Sequence, residues 1–209
     1  MSRIAFVVSE RKEGLNPARV ARYARARERL SDIVAAQIDV IHYADVDRLD
    51  ADAAVLSGSY DPWALHDPGA LARFGKAVMA YEGPTFGICA GMQLQVRIAG
   101  GTVGPTSEPT GPGFATVEVV DDTCLLGALP RQIEVYKDHS DEVTMLPAGL
   151  HVLARSDRCA VEAVAADDRP WWGTQFHPEE WTDARPAGRT ILARFFRMAA
   201  IPVRDESQV

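Results

Sequence analysis

One of the chain's three cysteines sits in a pattern built for nucleophilic attack. Gly87-Ile88-Cys89-Ala90-Gly91 has the glycine–x–nucleophile–x–glycine spacing of a sharp strand-to-helix turn. Such a turn strains the nucleophile's backbone, and flanking side chains larger than hydrogen would clash there. It aims the thiol at a helix N-terminus, where the dipole favours a thiolate and backbone N–H groups can receive an oxyanion. The competing reading of five such residues is a buried cysteine at a strand end, where cysteine is usually inert core.

A cysteine nucleophile needs a base and a group to orient it. Of the five histidines, His177 stands out in Gln175-Phe176-His177-Pro178-Glu179, just past an apolar run. Pro178 ends the strand, and Glu179 is close enough in sequence to fold back onto the imidazole. A carboxylate there fixes the tautomer and stabilises imidazolium.

Taken together, Gly87 to Gln93 and Gln175 to Glu179 resemble the class I (triad-type) glutamine amidotransferases, in order and in separation. Within that family, Asp138-His139-Ser140-Asp141-Glu142-Val143 and Gly149 to Ser156 are most similar to the glutaminase part of GMP synthetase. The resemblance implies a flavodoxin-like fold. It implies that Cys89 attacks the side-chain amide of L-glutamine to give a γ-glutamyl thioester and ammonia. His177 is then the proton carrier and Glu179 its orienter. The same resemblance implies an oxyanion hole from the backbone of Ala90 and a loop residue at Gly58, with substrate contacts at Gln93, Ser140 and Asp141. Two departures stand out. The oxyanion loop of the family carries two glycines and a proline after its serine, whereas this chain has Ser57-Gly58-Ser59-Tyr60-Asp61-Pro62. Side chains at positions 59 and 60 penalise positive φ; the resemblance implies a loop that a partner can switch, which leaves open whether activity needs one. Asp138 and Ser140 also replace residues more typical of the GMP synthetase signature.

The elements that must position these residues follow from periodicity and punctuation. Ile4–Val8 reads as a buried strand, and Asn16-Pro17 opens a helix carrying Val20, Tyr23, Leu30, Ile33 and Val34. Asp39–Tyr43, Ala53–Leu56 and Thr85–Ile88 read as further strands, with a helix starting at Asp67-Pro68 and another over Met92–Ala99. Near-continuous apolar strands between helices predict an α/β fold with a mostly parallel central sheet covered on both faces. Residues 100–114, rich in Gly, Pro and Thr, read as an irregular loop. Beyond them Ala115–Val120, Gln132–Tyr136, Val152–Ala154, Ala160–Ala165 and Trp172–Phe176 predict a more antiparallel second half. A last helix runs from Ala187 to Ala200. No repeat or compositional break divides the 209 residues, so one domain spanning 1–209 is expected.

Composition removes other classes. Three scattered cysteines are not a disulfide framework, nor a metal site of the cysteine-cluster type. A net charge of −7 argues against non-specific nucleic-acid binding. No apolar run approaches the roughly 20 residues of a membrane span, so a cytoplasmic protein is expected. No Gly-x-x-x-x-Gly-Lys run and no Ser-Gly-Gly-x-Asp-Ser loop occurs, and nothing calls for a cofactor. Five arginines between Arg19 and Arg29 read as a solvated helix face in preference to a docking face. The expected partners are glutamine and a separate synthetase that accepts the ammonia. A stand-alone γ-glutamyl amide hydrolase and a non-catalytic member of the fold are the rival readings.

Overall fold

In the computed structural model, which describes residues 1–127 and 129–204 without the side chains of Ser107 and Glu108, nine strands form one sheet. They are β1 (Arg3–Val8), β2 (Gln37–His42), β3 (Ala53–Leu56), β4 (Thr85–Ile88), β5 (Thr102–Val119), β6 (Gln132–Met145), β7 (Leu150–Arg155), β8 (Ala163–Ala166) and β9 (Trp171–Thr174). Their spatial order is β2-β1-β3-β4-β9-β8-β7-β5-β6. The five strands from β2 to β9 in that order are parallel, and those beyond are antiparallel. The fold is thus α/β, with a parallel core and an antiparallel extension.

Helices α1 (Pro17–Ile33), α2 (Pro68–Ala80), α3 (Ala90–Ile98) and α4 (Ala187–Met198) cover the sheet. Strand alternation divides β1 between two cores. Ile4, Phe6 and Val8 pack with residues of α1 and α4, whereas Ala5 and Val7 pack with residues of α2. A strand apolar on both faces has no polar alternation to show, so its sequence reads as a continuous hydrophobic run. Helices α1 and α2 start alike. The side chains of Asn16 and Asp67 accept from the N–H groups of Arg19 and Ala70, and proline occupies the first helical position, where its missing N–H costs nothing. Tyr23, Ala26, Leu30 and Ile33 form the buried face of α1. Val20 lies off that stripe and is exposed.

The Gly/Pro-rich segment 100–114 is not an irregular loop. Most of it belongs to β5, which pairs along its length with β6 through register shifts at Thr102/Val103, Pro105/Thr110 and Thr110/Gly113. Proline cannot donate to a ladder, and bulges absorb it. Pairing of β5 with β7 is confined to Glu118 and Val119, which leaves the proline stretch bonded on one side only. Strand β6 also runs well past the expected Tyr136, so that Asp138–Asp141 lie in a strand. Trp171 is buried and Trp172 partly so, while Trp181 is buried against α1, with Arg29 stacked 4.4 Å from its ring.

Candidate active site

Parallel strands send their C-terminal ends to one edge, and in open α/β sheets that edge is where ligands bind. Here it receives Glu10 just past β1, Ser57–Asp61 past β3, Cys89 past β4 and His177 past β9. Gly58, Cys89, Ala90, Gln93, Ser140, Asp141, His177 and Glu179 all line a single cavity of about 330 Å³. Ser140 and Asp141 enter it from β6, which folds across from the antiparallel end of the sheet.

Cys89 occupies φ 49° and ψ −107° immediately before α3, a backbone conformation costly for any residue with a Cβ. The surroundings hold it there. Its N–H donates to the Thr174 carbonyl of β9 at 2.7 Å, and its carbonyl accepts from Gln93 N at 3.0 Å. Helix α3 lies so close to β3 that a Cβ on Gly91 would stand 2.3 Å from the Leu56 carbonyl oxygen. The Ala90 amide falls in the first turn of α3, where backbone N–H groups have no intrahelical acceptor.

His177 is held from both ends. Its backbone N–H donates to the Tyr136 carbonyl at 2.8 Å, and its Nδ1 lies 2.8 Å from Glu179 Oε1. Pro178–Glu180 form a single 3-10 turn, which brings Glu179 back onto the ring. Burial acts to lower the His177 pKa, but the Glu179 charge and the hydrogen bond to Cys89 outweigh it, so the value rises well above 6.5. Gln175, fully buried, points its Nε2 at Cys89 Sγ from 3.5 Å. Cys89, His177 and Glu179 thus lie side by side, an arrangement able to support nucleophilic chemistry at the thiol.

The remaining predicted residues are placed as follows. A Cβ on Gly58 would lie 3.0 Å from His177 Cε1 and 3.5 Å from Cys89 Cβ, so this loop abuts both residues. Positive φ among described residues is confined to Cys89, Ala200, Gly100 and Gly149. The loop thus follows a path on which the side chains of Ser59 and Tyr60 carry no such strain. Gln93 faces the cavity, yet its polar atoms serve the protein. Oε1 accepts from Trp63 Nε1 at 2.9 Å, and Nε2 donates to the Asp141 carbonyl at 2.9 Å and to Gln175 Oε1 at 3.2 Å. Ser140 is exposed at the rim and Asp141 partly buried.

The arginines of α1 are not simply a solvated face. Arg19 pairs with Asp61 at 2.8 Å, and Arg22 reaches Glu180 at 3.3 Å and Asp138 at 3.7 Å. Both guanidinium groups lie over the Tyr60 ring at the cavity mouth. Sequence reading also missed Glu10, Tyr23, Trp63 and Gln175 as parts of the site. Only Gln175 carried a signal, its place in the histidine motif.

Behind the cavity, His139, Cys159 and Glu162 bring potential metal-ligand atoms within 4.8 Å of one another. Lys137 already pairs with Glu162 there. Burial and then the Glu162 charge push the Cys159 thiol up to about 12, while burial and then Lys137 push His139 down to about 4. A protonated thiol and an ion-paired carboxylate make this a proton-bearing cluster and a poor cation cage.

The model of the family "Glutamine amidotransferase class-I" matches residues 17–199. A glutamine-hydrolysing GMP synthase subunit of Pyrococcus furiosus is 42% identical over 116 residues, which is 56% of this chain and 61% of that protein. The corresponding Pyrococcus abyssi protein is 32% identical over 154 residues, 74% of this chain and 79% of its own length. The match spans only 27% of the GMP synthase of Pseudomonas aeruginosa strain UCBPP-PA14, which is 36% identical over 149 residues. Among solved structures, a GMP synthase subunit protein of Thermoplasma acidophilum superimposes with a TM-score of 0.77 at 27% identity, covering 96% of this chain and 95% of that one. The glutaminase domain of Trypanosoma brucei CTPS, solved with acivicin bound, shares the fold at 19% identity and a TM-score of 0.70, over 96% of this chain and 94% of that one. The chain belongs to the class I glutamine amidotransferases and is related to the glutaminase part of GMP synthase.

Proposed function

We propose that this chain hydrolyses L-glutamine to glutamate and ammonia through a thioester on Cys89, and hands the ammonia to a separate synthetase. The observation that carries this is the Glu179–His177 hydrogen bond beside Cys89, with all three residues lining one cavity at the C-terminal edge of the parallel strands. Cys89 Sγ adds to the glutamine side-chain carbonyl carbon. The oxyanion that forms is received by the Ala90 N–H and by an amide of the loop at Gly58. His177 delivers its proton to the leaving nitrogen, the C–N bond breaks, and ammonia departs. His177 then takes a proton from water, whose hydroxyl displaces Cys89 and releases glutamate.

Substrate contacts fall to Ser140 and Asp141 at the amino-acid end. Gln93 holds that segment through its bond to the Asp141 carbonyl. A nitrogen acceptor elsewhere is supported by the archaeal relatives, each of which is named as one subunit of GMP synthase and not as the whole enzyme. The same matched segment is about a quarter of the longer GMP synthases. The test is glutamate release from glutamine by the purified chain and by Cys89→Ala. Turnover that persists in the variant refutes the thioester route.

A further inference from the structure

Glu10 is a carboxylate with no solvent exposure, and it lies directly behind the loop that departs from the family pattern. Its Oε2 accepts from Tyr60 N at 2.9 Å and Tyr23 Oη at 3.2 Å. Its Oε1 accepts from Ser59 Oγ at 3.2 Å and from Asp61 N and Arg11 N at 3.3 Å each, with Arg19 Nη1 at 3.5 Å. A buried carboxylate is costly unless hydrogen-bonded and charge-balanced, and here the loop itself supplies most of the donors. Two more contacts fix the loop's first peptide. The Gly58 carbonyl accepts from Ser57 Oγ at 2.8 Å and lies 3.1 Å from Tyr23 Oη. Pinning that oxygen fixes the Gly58–Ser59 peptide plane, and with it the Gly58 backbone whose amide the glutaminase reading assigns to the oxyanion. At the far end, Asp61 is latched by Arg11 at 2.7 Å and Arg19 at 2.8 Å.

We propose that Glu10 is a positioning residue for the chemistry at Cys89: its carboxylate clamps the Gly58–Asp61 backbone in the orientation that presents the loop amide to the oxyanion. In this chain a side-chain anchor just past β1 does what a glycine–proline backbone does in the usual loop. The proposal rests on the glutaminase reading above. Tyr23 belongs to the same clamp. Burial and then Glu10 raise its pKa, so it keeps its one proton, which the Glu10 carboxylate and the Gly58 carbonyl share as acceptors.

The test compares wild type, Glu10→Gln, Tyr23→Phe and Cys89→Ala in steady-state glutamine hydrolysis and in alkylation of Cys89 by iodoacetamide. The alkylation needs the nucleophile and its proton carrier but no oxyanion hole. Glu10→Gln keeps the volume but puts an NH₂ among N–H donors. It is expected to lower kcat by about 10²- to 10³-fold, the loss typical of an oxyanion donor. KM should stay within about threefold, and the alkylation rate and its pH profile should match wild type. Tyr23→Phe, which leaves the carboxylate, is expected to lower kcat by about tenfold and serves as the readout should Glu10→Gln fail to fold. Unchanged kcat in a folded Glu10→Gln, or in Tyr23→Phe when the first does not fold, overturns the clamp. So does alkylation that falls in step with kcat, because the damage is then to the Cys89–His177 pair. A wild type with no turnover, or a Cys89→Ala that keeps it, overturns the glutaminase reading itself.

Discussion

At the scale of single residues, the two neighbours of His177 set the direction in which its pKa moves. Burial alone would favour the neutral imidazole, but Glu179 on one side and Cys89 on the other reverse that. A group whose folded-state pKa lies above its unfolded value of about 6.5 stabilises the fold fully below that value. The contribution is lost as pH rises through the raised folded value. Glu179→Gln removes the main source of the rise. The stability gap between wild type and this variant is therefore expected to be widest below about pH 6.5 and to narrow towards alkaline pH, measured by urea unfolding from pH 6 to 9. The same variant is expected to lose roughly 10²- to 10⁴-fold in kcat, and Cys89→Ala at least about 10⁴-fold, by glutamate release. Cys89, His177 and Glu179 were legible in the sequence because their spacing is itself the mechanical requirement. Glu10 and Gln175 were not assigned roles. Glu10 looks like the first member of a charged run after β1, and its partners Ser59, Tyr60 and Asp61 lie about fifty residues away.

Between elements, the His177 turn depends on α4 as much as on β9. A Cβ on Gly188, in the first turn of α4, would stand 2.2 Å from the Pro178 carbonyl oxygen. Gly188→Ala must therefore displace the turn that carries His177 and Glu179. It is expected to cost about 1–3 kcal/mol of stability and, read by glutaminase assay on the folded fraction, more than tenfold in kcat. On the antiparallel side, alternation along β6 turns Lys137 and His139 inward. Lys137 pairs with Glu162, next to β8, and the two side chains are almost wholly buried. Lys137→Ala leaves a buried carboxylate unpaired and is expected to cost about 3–5 kcal/mol in denaturant unfolding, most of it recovered in Lys137→Met/Glu162→Gln. Strands β1, β3 and β4 were readable because burial on both faces writes a plain apolar run. Strand β5 was not. Its glycines and prolines are turn formers, and only its long pairing with β6, set by residues 132–145, holds them extended.

For the molecule as a whole, the direction of the sheet determines where the candidate site lies. All four chemistry-bearing loops leave the C-terminal edge of the parallel strands, and β6 closes over them from the other end of the sheet. The cavity opens where Tyr60, Arg22, Asp138 and Ser140 meet, a rim of aromatic, charged and hydroxyl groups that includes the exposed faces of Tyr60 and Ser140. On the proposed reading, in which the ammonia goes to a separate synthetase, a partner that takes it directly has to seat over this rim and shield the ammonia from protonation by solvent. With such a partner bound, glutamine labelled with ¹⁵N at the amide is expected to give product whose new nitrogen stays mostly ¹⁵N in a large excess of unlabelled ammonium. Tyr60→Ala, which removes the ring under Arg19 and Arg22, is expected to weaken that retention more than it weakens glutamate release. Product nitrogen diluted to the isotopic ratio of the bulk pool, in wild type and variant alike, means that ammonia escapes through solvent and that this rim does not hand it on.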